Sequence, residues 1–115
     1  MLQSLGMKKP TPLVIGNWKL NPGTATEARA LAKGVVLGTK KVSGAEVVVA
    51  PPFLFIPEVA KVLQKSALKL GAQDAHFEER GACTGEVSPV LLAPFGVEYI
   101  IVGHSERRAL GKTDA

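Results

Sequence analysis

Apolar residues fall in short runs of strand length, separated by stretches of helical spacing. Leu13-Val14-Ile15-Gly16 is the first run, followed by the polar and apolar alternation Asn17-Trp18-Lys19-Leu20-Asn21. Thr24 and Glu27 stand at capping-box spacing. Behind them Ala25, Ala28, Leu31, Ala32 and Val35 share one helical face, which predicts three to four turns ending near Gly38. Val47-Val48-Val49-Ala50 is a second strand, closed by Pro51-Pro52, and Ile56, Val59, Ala60 and Leu63 predict a helix behind Pro57. A third strand is expected over Leu68–Gln73. The polar stretch Asp74–Glu86 is long for a connection between strand and helix. Ser88-Pro89 opens a short helix through Leu92, stopped by Pro94 and Gly96. The fourth strand is expected over Tyr99–Val102, with Ser105 as the N-cap of one more helix. Residues 1–11 read as a Pro-broken arm, with a second plausible start at Met7, and residues 12–115 as one unit.

This βαβαβαβ order predicts a parallel α/β sheet with helical crossovers, its near-uniformly apolar strands covered on both faces. The chain has 115 residues, of which 46% are apolar and 21% charged. That balance suits one small globular domain and argues against disorder. A single cysteine, Cys83, allows no internal disulfide and fits a reducing compartment. The opening residues lack the pattern of a signal peptide, and Val47–Ile56 is broken and too short to span a membrane. A cytoplasmic location is expected. The net charge of +4 comes from scattered lysines without interleaved aromatics, so neither nucleic acid nor membrane is an expected partner. A small anionic substrate would suit that surface.

The polar groups able to do chemistry cluster at the C-terminal ends of the expected strands, where parallel α/β folds build their sites. They are Asn17 and Lys19 after the first strand, Gln73 and Asp74 after the third, and His104 and Glu106 after the fourth. Asn17 can donate to a substrate oxygen, Lys19 can supply fixed positive charge, and His104 can polarise a carbonyl. A helix starting at Ser105 would set His104 beside a positive helix end, where neutral imidazole is favoured. The competing readings are a turn residue for Asn17, a solvated lysine and a satisfied core histidine. No P-loop or G-x-G-x-x-G is present, which disfavours a generic phosphate-binding domain.

Five blocks resemble one family: Gly16-Asn17-Trp18-Lys19-Leu20-Asn21, Val49-Ala50-Pro51-Pro52, Gly71-Ala72-Gln73-Asp74, Gly81 through Pro89, and Val102-Gly103-His104-Ser105-Glu106-Arg107-Arg108. In order and spacing they are similar to triosephosphate isomerase. The resemblance implies the first four strands of a (β/α)8 TIM barrel, a half-barrel as given. It also implies the glycolytic and gluconeogenic interconversion of dihydroxyacetone phosphate and glyceraldehyde 3-phosphate, without cofactor or metal, in a homodimer. It makes His104, Lys19 and Glu106 catalytic: His104 as the electrophile shuttling protons, Lys19 as charge near the phosphate and enediolate, and Glu106 as the partner of Lys19. Asn17 joins Lys19 in binding substrate, and Gln73 supports the site. Ser105 resembles the hydroxyl that contacts the catalytic base, and Thr84 the loop residue that reaches the partner subunit, which makes 74–86 the dimer's interlocking loop.

A full barrel of this kind takes roughly 250 residues. The glutamate base, the lid and the phosphate clamp of the family lie beyond the part resembled, so the 115-residue chain alone is expected to be inactive. A complementary C-terminal half is one expected partner and self-association another, since an open half-barrel leaves edges and one face uncovered. The alternative is a non-catalytic half-barrel or assembly module. Around Arg107-Arg108-Ala109-Leu110-Gly111-Lys112 the chain is one residue short of the family pattern. Lys112 stands near the usual acidic partner of Arg107, which leaves that ion pair in question.

Overall fold

The computed structural model describes residues 10–111. The extension 1–6, the second start at Met7 and Lys112 lie outside them. Four strands alternate with helices: β1 (Leu13–Asn17), α1 (Ala25–Gly38), β2 (Glu46–Ala50), α2 (Ile56–Leu63), β3 (Lys69–Ala72), α3 (Pro89–Leu92), β4 (Val97–Ile100) and α4 (Ser105–Arg108). The strands form one parallel sheet in the order β1-β2-β3-β4, as the alternation predicts.

Local chemistry accounts for most boundaries. The Thr24 side chain accepts from the Glu27 amide and starts α1. α1 ends at Gly38, where the Thr39 amide and hydroxyl both donate to the Val35 carbonyl. Pro57 lies in the first turn of α2, and the Ser88 hydroxyl caps α3 by accepting from the Leu91 amide.

Strand register divides the side chains between two faces. Val49, Leu70 and Ala72 pack with Ala28, Ala32, Ile56, Val59 and Leu63 under the helices, forming the core. Burying a side chain the size of Ile56 or Val59 contributes about 1.5–3 kcal/mol. The opposite face carries Ile15, Val48, Ala50, Gly71 and Tyr99. Across it the Tyr99 hydroxyl donates to Glu46 Oε2 at 2.6 Å, bracing β4 against β2.

Three expectations need correction. β1 is not covered on both faces: Leu13, Val14 and Ile15 are 46%, 54% and 37% exposed, because among the described residues β1 has a neighbour on only one edge. β4 runs from Val97 to Ile100 and not from Tyr99 to Val102. Its register jumps between Leu70 and Gly71, which pair with Val97 and Tyr99, so Glu98 is the extra residue of a bulge. Apolar content marked the run, but the turn at Gly96 (φ 85°) sets where pairing starts. β3 is shorter at both ends than expected, Lys69–Ala72.

Candidate active site

Asn17 ends β1, Gln73 follows β3, and His104 lies four residues beyond β4, so a parallel sheet delivers all three to one rim. They line a single cleft of about 310 Å³ together with Lys19 and Glu106. Asp74, the other candidate read from the third strand end, lines it too. Ser105 is the exposed first residue of α4, beside the cleft, and does not line it. Thr84 is exposed on the long loop and also stays outside the cleft, to which the loop contributes Gly85 and Glu86.

The turn after β1 is held at many points. Lys19 adopts φ 57°, a left-handed conformation that costs a non-glycine residue about 1–3 kcal/mol. Asn17 Oδ1 accepts from the Lys19 amide at 2.9 Å. Gln73 Nε2 donates to the Lys19 carbonyl at 2.8 Å and to the Ala50 carbonyl at 2.9 Å. One amide group thus ties the ends of β1, β2 and β3 together. With Oδ1 engaged, Asn17 has its Nδ2 hydrogens left to donate.

His104, and not Ser105, is the N-cap of α4. Its backbone is extended (φ −57°, ψ 142°), and Nδ1 accepts from the Glu106 amide at 3.1 Å. A ring nitrogen that accepts must carry a lone pair, so the neutral ring holds its proton on Nε2. The ring's orientation is thus fixed by a direct cap and not by the dipole alone.

Lys19 Nζ lies 3.0 Å from Glu106 Oε1. The Lys19 ammonium beside it, chiefly through that hydrogen bond, holds the Glu106 carboxyl below its ordinary value, and partial desolvation opposes the effect. Both side chains are more than half exposed, so the pair orients Lys19 more than it stabilises the fold. The ion pair of Arg107 is made with an acid the sequence did not suggest: Arg107 Nε stands 3.2 Å from Asp74 Oδ2. Nε is buried without an aligned hydrogen bond, so the contact is one of charge.

Sequence reasoning missed Leu20, Pro52, Phe53, Gly85, Glu86 and Arg107 as lining residues. Pro52 and Phe53 had a signal, since they follow β2 as Lys19 follows β1. Gly85 and Glu86 had none, because a loop of that length folds back by tertiary contacts. His76 Nδ1 lies 3.7 Å from Glu86 Oε2, and the His76 amide donates to the Val87 carbonyl. Among the described residues no cluster of three or more His, Cys, Asp or Glu is placed to hold a metal ion, and no helix is long and apolar enough to cross a membrane.

The sequence profile of triosephosphate isomerase matches residues 12–115. The chain belongs to the triosephosphate isomerase family. A triosephosphate isomerase of Psychromonas ingrahamii is 48% identical over 106 residues, covering 91% of this chain and 42% of that protein. One from Carboxydothermus hydrogenoformans is 48% identical over 104 residues, covering 90% and 41%. The crystal structure of triosephosphate isomerase from Bartonella henselae matches with a TM-score of 0.74 and 27% identity, over 89% of this chain and 41% of that one. The chain thus spans about two fifths of the length of these relatives. Its four parallel strands are the first half of a triosephosphate isomerase barrel.

Proposed function

We propose that this cleft is the electrophilic half of a triosephosphate isomerase site, which interconverts dihydroxyacetone phosphate and glyceraldehyde 3-phosphate through an enediolate. The observation that carries the reading is the His104 cap, which leaves Nε2–H as a neutral donor in the same cleft as Lys19 and Asn17. Three donors, one of them charged, suit an oxygen-rich anion whose negative charge grows on oxygen in the transition state. His104 polarises the carbonyl and moves a proton between the two oxygens. Lys19 supplies charge, Glu106 holds Lys19, and Asn17 donates through Nδ2. Gln73 fixes the turn that carries Lys19. By the family resemblance Ser105 contacts the base, and Thr84 on the 74–86 loop reaches a partner subunit in the homodimer.

In this reading residues 12–115 are the first half of one barrel domain and 1–11 an arm. The general base, phosphate clamp and lid belong to the complementary half, and the location is cytoplasmic. Loss of a base costs about 10²–10⁴ in rate, so the 115 residues alone are inactive. A second reading, a non-catalytic half-barrel that serves assembly, draws on the uncovered β1.

The test is to replace the matching segment of the Psychromonas ingrahamii protein with residues 12–108 and to follow isomerisation in a coupled assay. Turnover that falls by about a hundredfold or more on Lys19→Met and on His104→Gln is the expected result. A folded chimera whose turnover ignores both substitutions would overturn it.

A further inference from the structure

A second cavity, of about 230 Å³, lies at the opposite end of the sheet from the cleft, between the C-terminal ends of α1 and α2. Val36, Val47 and Leu68 form its floor. All three belong to or pack against the main core, so here the core opens to solvent. Val42, half exposed, stands at the mouth with Lys40 and Lys65.

A lysine after a helix is commonly there to offset the last carbonyls, but these helix ends are already served. The Thr39 amide and hydroxyl donate to Val35, the Lys40 amide donates to Leu37, and the Ser66 amide and hydroxyl donate to Leu63. The hydroxyl hydrogens are therefore spent. Among the described residues neither the Lys40 nor the Lys65 ammonium has a carboxylate partner. An apolar recess with two unneutralised cations at its mouth calls for one chemistry: a short apolar body ending in an anionic head.

We infer that this cavity binds a small amphipathic anion of the alkyl carboxylate class, with its chain on Val36, Val47 and Leu68 and its head between Lys40 and Lys65. At roughly 30 Å³ for a water-sized group, the space holds a chain of hexanoate size. A cation with the same tail is rejected by the two lysines. The site shares no residue with the isomerase cleft and does not depend on that reading.

The test is amide NMR of the full 115-residue chain titrated with sodium hexanoate, and separately with hexylammonium chloride. Hexanoate is expected to give saturable shifts at residues 39–47 and 65–68, and hexylammonium none. In the doubly substituted Lys40→Gln, Lys65→Gln chain, with unchanged thermal unfolding, hexanoate affinity is expected to fall by about tenfold. The inference is overturned by hexanoate shifts that do not saturate or lie elsewhere, or by equal binding of hexylammonium. Unweakened affinity in the double variant overturns it as well.

Discussion

Lys19 is held by partners that only the fold brings to it, and His104 by an amide two residues along the chain. The left-handed turn at Lys19 survives because Asn17 Oδ1, Gln73 Nε2 and Glu106 all bind it. Gln73→Met removes two hydrogen bonds and leaves the Lys19 carbonyl short of a donor, so a loss of about 1–3 kcal/mol in urea unfolding is expected. Glu106 titrates below its ordinary value beside Lys19. Its contribution to stability is therefore present above the unfolded carboxyl value and is lost as pH falls through the folded one. Carboxyl-carbon NMR should give a midpoint below that of a free glutamate, and Lys19→Met should return it. Tyr99 is displaced the other way: its hydrogen bond to Glu46, with lesser help from desolvation and nearby carboxylates, raises it above 10.0. That contribution is present below 10.0 and is lost as pH rises through the folded value. Phenolate absorbance titration of the chain and of Glu46→Gln checks it, with the midpoint expected to fall in the variant. Of the residue-level facts, the residue types and the strand ends were legible in sequence. The Gln73 bridge and the Asp74–Arg107 pair were not, because each joins groups far apart in the chain.

At the scale of elements, most boundaries governed by local rules were readable, and the limits of β3 and β4, governed by pairing, were not. The Thr24 cap, the Gly38 stop and the Ser88-Pro89 start all appear where short-range chemistry puts them. Thr24→Ala should cost about 1 kcal/mol in thermal or urea unfolding. β4 was misplaced by two residues because its limits depend on where β3 accepts pairing and on the bulge at Glu98. Gly71 is the sheet glycine with the least room: a Cβ there would stand 2.9 Å from Val48 Cγ1, with Val48 itself fully buried. Gly71→Ala should destabilise by about 1–3 kcal/mol, since neither β3 nor Val48 has free space to yield. The N-cap of α4 was off by one residue, and that slip concerns function, since it gives His104 its single available proton donor.

At the scale of the molecule, among the described residues the sheet has two open edges, at β1 and β4, and one face without helices. Leu13, Val14 and Ile15 sit on the open β1 strand. Paired and covered, they would contribute several kcal/mol; uncovered, they favour association. Size-exclusion chromatography of the 115-residue chain should show a species larger than a monomer, and a compact monomer with sharp thermal unfolding would contradict this. Fold class and strand order were legible from alternation alone, whereas the uneven burial was not, because apolar content does not reveal which strand lies at an edge. The cleft is formed by one rim of this sheet, so its donors should be in place in the half-barrel. The most direct measurement is amide and imidazole NMR of the chain titrated with dihydroxyacetone phosphate. The account predicts saturable shifts at Asn17, Lys19 and His104 that disappear in Lys19→Met; shifts at the other end of the sheet, or none at these three residues, would contradict it.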